Sequence, residues 1–157
     1  MTTVEYEPSR RGLLPADFPA TELQELLRDL LALQLLAKQL HWNVRGANFW
    51  SLHVELDGLA QDARDWSDQL AERLVALGIP PDGRPSTVAL SSLSMPEAGS
   101  LAERQVLQLT VDALRNLANS SRSLSRKTEA ELGTQDLLIS LVNALEKHLW
   151  MFAAQLS

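Results

Sequence analysis

The sequence predicts an all-α protein, a bundle of four long helices with a short helix in the crossover between the second and the third. Leucine and other apolar residues recur at helical spacing through four long stretches. A segment rich in proline, serine and glycine, residues 79–100, separates the second stretch from the third. No stretch alternates apolar and polar residues as a strand does. These three observations argue against a β or mixed fold.

The first helix is expected to follow an N-terminal tail. Residues 1–20 contain several prolines and a glycine, so we expect a flexible tail there and one helical domain over residues 21–157. Thr21 and Gln24 have the spacing of a capping box, and Gly46 is the predicted end of the helix. The predicted core residues of this helix are Leu23, Leu26, Leu30, Leu33, Ala37, Leu40 and Val44.

The second helix is predicted to begin after Asn48, a good N-cap residue, and to run to Gly78. The long crossover that follows has room for a short helix at about residues 86–93. The predicted core residues of the second helix are Leu52, Leu56, Leu59, Ala63, Trp66, Leu70, Leu74 and Leu77.

The third and fourth helices complete the bundle. The third is expected over about residues 101–132, where Gly133 should break it, and Thr134 should cap the fourth. Their predicted core residues are Leu107, Val111, Leu114 and Ala118, then Leu138, Leu141, Leu145, Leu149 and Phe152. Four long helices with one long crossover are the arrangement of a ferritin-like four-helix bundle.

Composition narrows the possible functions. The 157 residues suit one domain, and the absence of cysteine excludes disulfides and thiolate metal sites. A formal charge of −6, from 14 basic and 20 acidic residues, disfavours a nucleic-acid partner. We see no apolar run long enough to span a bilayer and no signal-peptide pattern, so we expect a cytoplasmic protein.

Four residues with metal-binding side chains share one face of the second helix. His53 and Asp57 lie four residues apart, and so do Asp68 and Glu72. Asp57 and Asp68 are separated by roughly 16 Å along the helix axis but only about 20° around it. The two pairs therefore point the same way without reaching each other. A second copy of the chain, related by a two-fold axis near residues 62–63, would bring the pairs together and make two identical sites.

Each acid alone has a simpler interpretation. An isolated Asp68 or Glu72 would most often be a solvated surface charge, and we expect Glu55, Asp62 and Asp65, on other faces, to be solvated. Four ligand-type residues arranged symmetrically on one face favour a metal site instead. Carboxylates and imidazoles suit iron, manganese or zinc.

The two other histidines give weaker evidence for a metal site. His41, at the end of the first helix, would be a fifth ligand, although a lone histidine there is more often a core or cap residue. His148 is interpreted as structural, because the di-iron pattern Glu-x-x-His needs a glutamate where Leu145 stands.

Residues 38–78 resemble the Dps family, the mini-ferritins that protect DNA during starvation. The motifs are HWN-x-x-G-x-x-F, LH-x-x-x-D and D-x-x-AER at the family's spacing, and KHLWMF near the C-terminus adds to them. The resemblance extends over the chain from about residue 21. It implies a hollow dodecamer of four-helix subunits, built from two-fold dimers.

The resemblance also implies an activity and its residues. In the family an intersubunit centre oxidises Fe(II), preferably with hydrogen peroxide, and the ferric product is stored in the cavity. Matched residue by residue, His41, His53 and Asp57 come from one subunit, and Asp68 and Glu72 from its two-fold mate. The site would hold two irons, and zinc or another divalent metal can substitute.

The same resemblance implies pores and a residue that handles stray oxidising equivalents. Acids near the start of the last helix line the family's three-fold pores. Asp136 is the first candidate here, with Glu131 and Glu129 behind it, whereas Leu132 occupies a position that is often acidic. Acids near a helix N-terminus also simply favour its dipole. Trp42, beside His41, is the candidate for electron or radical handling.

The sequence lacks the basic tail that DNA-binding members commonly carry. Residues 1–20 contain Arg10 and Arg11 against three acids, a net charge of −1. We therefore expect weak or absent DNA binding. Two alternatives remain: a nucleoid-compacting, DNA-binding Dps protein in which iron oxidation is secondary, and a non-catalytic helical protein whose acidic face only makes subunit contacts.

Overall fold

The computed structural model describes residues 14–156, and four long helices make up most of them. The elements in chain order are α1 (Ala20–Asn43), β1 (Val44–Arg45), α2 (Phe49–Ala76), α3 (Pro85–Val88), β2 (Leu101–Ala102), α4 (Glu103–Lys127), α5 (Leu132–Ala153) and a 3₁₀ turn (Ala154–Leu156). Helix α1 packs along α2 and α4 packs along α5, while α1 also lies against α4. The predicted bundle with a short helix in its crossover is confirmed. Most of the predicted tail, residues 1–13, lies outside the described residues.

The core is built from the leucine stripes that the periodicity predicted. Leucines from all four long helices are buried in one continuous cluster, and Phe152 is its largest fully buried side chain. Two predicted core residues, Trp66 and Leu149, are only partly buried and pack against the cluster from its edge. Burial of a leucine side chain contributes about 1.5–3 kcal/mol. The cluster is therefore what holds α1, α2, α4 and α5 together.

A short pair of strands was not expected. Strands β1 and β2 pair in parallel, with Val44 opposite Leu101 and Arg45 opposite Ala102. Two residues on each side are too few to show the alternation that marks a strand in a sequence. The pair ties the end of the crossover to the turn between α1 and α2.

The predicted capping box at the start of α1 is wrong. The N-cap position belongs to Pro19, no side chain caps it, and Thr21 lies inside the first turn. Gln24 instead binds the crossover: its Nε2 donates to the Asp82 carbonyl at 2.8 Å, and its Oε1 accepts from the Asp82 N–H at 2.8 Å. The tertiary contact occupies the amide that a capping box would have used.

Asn48 does occupy the N-cap position of α2, but its side chain makes no capping bond. Its Nδ2 donates to Glu103 Oε2 at 3.2 Å, and its backbone N–H donates to Glu103 Oε1. A carboxylate from the start of α4 therefore supplies the cap of α2. Helix α2 ends at Ala76, two residues before the predicted end.

The predicted boundary between the last two helices is also wrong. Helix α4 ends at Lys127, and Gly133 lies in the first turn of α5 rather than between the helices. Glu131 is the N-cap residue, and its side chain accepts from the Thr134 N–H. A Cβ on Gly133 would lie 2.6 Å from the Arg73 guanidinium, so this glycine permits a close approach instead of breaking a helix.

The apolar composition of α5 contradicts the prediction that no apolar run is long enough to span a bilayer. Residues Leu132–Leu156 have the length and apolar composition to cross a membrane, although the core helix of a bundle can have the same composition. Its buried residues pack on α4, as a bundle helix does. Leu132, Ile139 and Trp150 remain exposed, at 73%, 47% and 69%. The chain therefore has an apolar α5 surface that its own core does not cover.

Candidate metal centre

Two of the predicted ligands meet where α1 turns into α2. His41 is in the last turn of α1 and His53 is in the second turn of α2. Their rings stack with centroids 3.6 Å apart and planes 20° from parallel. His41 is buried at 8% exposure, and His53 is half-buried. The structure therefore brings together residues twelve positions apart, as the resemblance implied.

Reciprocal hydrogen bonds hold this pair of histidines. The His41 Nδ1–H donates to the backbone carbonyl of His53 at 2.6 Å, and the His53 Nδ1–H donates to the carbonyl of His41 at 2.9 Å. A carbonyl only accepts, so Nδ1 must carry the proton in each ring. In the neutral imidazole, Nε2 then carries the free lone pair, and such a carbonyl contact is how proteins orient metal-binding histidines. Both rings are thus arranged to offer Nε2 to a metal ion.

Asp57, the third residue predicted at this end, is bound to a lysine of α1. Lys38 Nζ lies 2.6 Å from Asp57 Oδ1 and 5.7 Å from the centre of the Trp42 ring. The hydrogen bond and positive charge of Lys38 hold the pKa of the Asp57 carboxyl below its usual value. The ionised carboxylate can bind a cation, but its ion pair with Lys38 must first be broken.

Asp68 and Glu72 lie farther along the same helix, and both are exposed. Within residues 14–156, no hydrogen bond or ion pair engages either carboxylate. The described part of the chain contains no group of three or more metal-binding side chains close enough to hold an ion. One copy thus presents a histidine pair with Asp57 and, separately, two unengaged carboxylates.

An open groove runs between the two ends of this face. A depression of about 560 Å³, which includes Asp68, adjoins one of about 400 Å³, which includes Asp57 and Lys38. The residues common to both are Gln34, Gln61 and Arg64. The groove follows α1 and α2, and two of the four predicted ligands of α2, Asp57 and Asp68, line it.

Gly58 leaves the backbone of α2 accessible at one point in this groove. It lies inside α2, and a Cβ built on it would meet nothing within 4 Å. Glycine in a helix interior costs about 1 kcal/mol relative to alanine, and no neighbouring atom within residues 14–156 requires a glycine at this position. A bare backbone beside Asp57 suits the close approach of another helix.

Two further residues from the sequence analysis, His148 and Asp62, pair with each other outside the proposed centre. His148, for which the sequence suggested no carboxylate partner, binds Asp62: Nε2 and Oδ2 are 2.7 Å apart, so Asp62 is not simply solvated as expected. Trp66 meets the His148 ring edge-on at 5.7 Å. This pair links α2 to α5 on the face that the ligands do not use, which fits the structural interpretation of His148.

The pore candidates differ in their surroundings. Glu131 accepts from Arg73 at 2.5 Å and from Thr134, so it is already engaged within its chain. Burial raises the pKa of the Glu131 carboxyl, but the bonds from Arg73 and Thr134 outweigh it and leave that pKa below its usual value. Glu129, in the turn before α5, and Asp136, in the second turn of α5, are both exposed. The remaining candidates for lining a pore are therefore these two acids.

One aromatic residue that sequence reasoning missed lies against the histidine pair. The Trp50 ring stacks over His53 with centroids 6.5 Å apart and planes 24° from parallel, and Phe49 also contacts His53, at 5.0 Å. The spacing of Trp50 and His53, three residues apart on one helix, could have revealed this contact. Trp42, the predicted residue, is adjacent to His41 in sequence but contacts Lys38 instead.

Comparison with known proteins shows which family and fold the chain resembles. A family model described as ferritin-like domain matches residues 20–157. The chain is 31% identical over 150 residues to a DNA protection during starvation protein of Mycolicibacterium smegmatis, across 90% of this chain and 80% of that protein. The structure of Dps from Microbacterium arborescens in the high iron form aligns with a TM-score of 0.84 at 32% identity, covering 91% of this chain and 96% of that one.

A Dps protein from Vibrio cholerae O1, described as a member of a broad superfamily of ferritin-like diiron-carboxylate proteins, aligns with a TM-score of 0.82 at 26% identity. The match covers 88% of each chain. The similarity therefore extends over nearly the whole bundle.

Proposed function

This chain belongs to the Dps family of ferritin-like proteins, and on that premise we propose that it oxidises Fe(II) with hydrogen peroxide at sites shared by two subunits. The ferric product is stored inside a hollow dodecamer, and the cell is protected because free iron and peroxide are both removed. His41, His53 and Asp57 of one subunit and Asp68 and Glu72 of its mate bind the iron.

The observation that carries this proposal is the division of the ligands along α2. One end offers two histidine Nε2 atoms and Asp57, and the other offers two carboxylates that no hydrogen bond or ion pair engages within residues 14–156. A two-fold axis through the groove would complete two sites at once. Gly58 supports this, because its bare backbone admits the partner helix.

The chemistry suits these side chains. Carboxylates and imidazoles bind Fe(II) well, and the carbonyl contacts of His41 and His53 keep both rings in the binding orientation. Two Fe(II) ions give one electron each to one hydrogen peroxide, which takes up two protons and leaves as two water molecules. No hydroxyl radical is released in this two-electron reaction. Zinc binds the same ligand types without redox chemistry, so it should occupy the site and block it.

Assembly into a dodecamer is supported by the apolar surface of α5. Leu132, Ile139 and Trp150 are exposed in the single chain, and exposed apolar patches of this kind usually mark contacts with other molecules. Copies of the chain would cover this surface around the three-fold axes. Glu129 and Asp136 are then the acids that could attract Fe(II) into a pore.

DNA binding is expected to be weak or absent, and the protein is expected to act in the cytoplasm. The net charge of −6 per chain opposes contact with a polyphosphate. The alternative, a nucleoid-compacting protein in which iron is secondary, predicts retarded DNA in a gel shift at low magnesium. We expect no retardation.

The proposal is tested by Fe(II) oxidation with peroxide in the wild type and in His53→Ala/Asp57→Ala. We expect the double variant to lose most of the activity and most of its Zn(II) binding. His148→Gln is the matched control, since this third histidine pairs with Asp62 outside the site. Equal rates in wild type and double variant would instead favour a non-catalytic protein whose acidic face only makes subunit contacts.

A further inference from the structure

The face of α2 that carries the four predicted ligands is nearly symmetric from end to end. His53 and Glu72 are equally far from the midpoint between residues 62 and 63, and Asp57 and Asp68 are also equally far from it. In an antiparallel contact about a two-fold axis at this midpoint, residues at equal distances come level with each other. The spacing on this helix therefore defines one register for the contact between two copies.

Two large apolar residues continue this symmetry beyond the ligands. Trp50, three residues before His53, and Val75, three residues after Glu72, are again equally far from the midpoint. At 100° per residue, Trp50 and Val75 differ by only about 20° around the helix, and both fall within the sector of about 100° that the ligands span. In the single chain Trp50 is 74% exposed and Val75 is 45% exposed. The chain thus leaves one apolar residue uncovered at each end of the ligand face.

The positions of these two side chains, rather than their exposure, make them informative. Single exposed apolar residues are common on protein surfaces and need no explanation. Here, however, the same operation that brings His53 level with the partner's Glu72 also brings Trp50 level with the partner's Val75. Within residues 14–156, neither Trp50 nor Val75 is part of the core cluster. An apolar contact between two copies would cover both.

Resting on the proposed function, we propose that Trp50 of one subunit packs against Val75 of its mate, and that the two side chains form an apolar lid over each shared iron site. Trp50 already lies against one ligand of that site, since its ring stacks over His53 with centroids 6.5 Å apart and planes 24° from parallel. Val75 lies one turn beyond Glu72, the ligand that the mate contributes. The lid therefore covers the outer edge of the site from both subunits.

This contact selects the register of the dimer. The two apolar side chains bury each other only when the histidines of one copy meet the carboxylates of the other. A shift by three residues would bring the Trp50 ring level with the partner's Glu72, and burial of an unpaired carboxylate is costly. Tryptophan at the edge of a charged cluster is also the residue type most often found as an energetic anchor of protein interfaces.

The same contact limits the access of water to the bound ion. Without Trp50 and Val75, the outer edge of the site would be bordered only by the ligands and solvent. With both side chains in place, a bound metal ion exchanges with solvent and with competing chelators only when the lid opens. The lid should therefore slow the loss of metal without supplying any ligand of its own.

Cross-linking tests the contact directly, because the chain contains no cysteine. The variant Trp50→Cys/Val75→Cys is treated, as the intact assembly, with a short thiol-to-thiol cross-linker. The two positions are 25 residues apart on one helix, about 37 Å, so a short cross-linker cannot join them within one chain. We expect covalent dimers on a denaturing gel from this variant and monomers from each single-cysteine variant.

Two results of cross-linking would overturn the proposal. One is a monomeric band from Trp50→Cys/Val75→Cys, and the other is an equal yield of dimers from the single-cysteine variants. Either result, obtained while the wild type oxidises Fe(II), would leave the proposed function intact. Absence of both Zn(II) binding and Fe(II) oxidation in the wild type would instead overturn the proposed function.

A second experiment tests the lid itself. The rate at which EDTA removes Zn(II) is compared in the wild type, Trp50→Ala, Val75→Ala and the double variant, each verified as assembled by native mass spectrometry. We expect each single variant to lose Zn(II) several-fold faster. The double variant should lose it no faster than the faster single variant, because either change already opens the lid.

Two further variants separate the lid from a general loss of packing. Trp50→Phe keeps an apolar ring and should lose Zn(II) nearly as slowly as the wild type. Ile139→Ala removes an exposed apolar side chain on α5 and should leave the rate unchanged. Fully additive effects of Trp50→Ala and Val75→Ala, or a wild-type rate in Val75→Ala, would overturn the lid.

Discussion

At the level of single residues, the orientation of the proposed ligands is decided by contacts that the sequence does not display. The five ligand candidates could be found from their spacing and from the family resemblance. That both histidines present Nε2 follows from their carbonyl contacts, which depend on how the α1–α2 turn folds back. The Lys38–Asp57 pair likewise could not be predicted from the sequence, because it joins residues 19 positions apart on two helices.

Lys38 competes with metal ions for Asp57. Its ammonium lies 2.6 Å from the carboxylate, so an incoming cation must displace it. We expect Lys38→Met to tighten binding of Zn(II) or Co(II) by a few-fold, a modest effect because exposed ion pairs are weak. Titration calorimetry of both metals measures the change. Lys147→Met, an exposed lysine on α5, is the control and should leave affinity unchanged; weaker binding in Lys38→Met would contradict this account.

At the level of elements, periodicity predicted the four helices well, but it misplaced several of their ends. Ends are decided by whichever group satisfies the free backbone N–H groups, and here several of those groups come from distant parts of the chain. Glu103 of α4 caps α2, and Gln24 binds the crossover instead of capping α1. Gly133 looked like a breaker, although it only makes room for Arg73.

Glu103 is expected to stabilise the turn that carries both histidines. Its carboxylate binds the N-terminus of α2, where a negative charge is favourable, next to the β1–β2 pair. We expect Glu103→Ala to lower the free energy of unfolding by about 1 kcal/mol, as loss of a helix cap does. Zn(II) affinity should fall as well. Glu97→Ala, an exposed acid in the crossover, is the control for loss of a negative charge.

The outcome that would contradict this role is unchanged Zn(II) affinity in Glu103→Ala together with unchanged unfolding. Denaturant unfolding should be compared at equal protein concentration, because assembly adds to apparent stability.

Glu131 makes the start of α5 sensitive to acid. Its folded-state pKa lies below the usual value of 4.5, since the bonds from Arg73 and Thr134 outweigh burial. A lowered pKa adds stability above the unfolded value, and this contribution disappears as pH falls below about 4.5 and through the folded pKa. We expect Glu131→Gln to be less stable than wild type at neutral pH and to lose less stability on acidification.

Thermal unfolding followed by circular dichroism between neutral pH and strong acid measures this difference. Glu129→Gln, an exposed neighbour, should follow the wild-type profile. If the wild type and Glu131→Gln lost stability in parallel, the contribution of the Arg73–Glu131 pair would be refuted.

At the level of the whole molecule, the division of ligands between two copies could be argued from the sequence. Helical geometry alone separates Asp57 from Asp68 by several turns on one face. The open groove and Gly58 agree with that argument, as do the carboxylates of Asp68 and Glu72, which no hydrogen bond or ion pair engages within residues 14–156. The apolar outer face of α5, formed by Leu132, Ile139 and Trp150, was missed because none of these residues belongs to the core stripe by which the helix was predicted.

The most direct test of the shared site is to mix two inactive variants. One variant carries His41→Ala and His53→Ala, and the other carries Asp68→Ala and Glu72→Ala. In a mixed dimer, the histidines of the second variant face the carboxylates of the first and form one complete site, while the other site lacks both sets.

Random pairing makes half of the dimers mixed, so about a quarter of all sites should be complete. We therefore predict that co-assembled particles, verified by native mass spectrometry, recover about a quarter of wild-type Fe(II) oxidation, although each variant alone is inactive. If the mixture were as inactive as its parents, the ligands would belong to a single chain and the account would be contradicted.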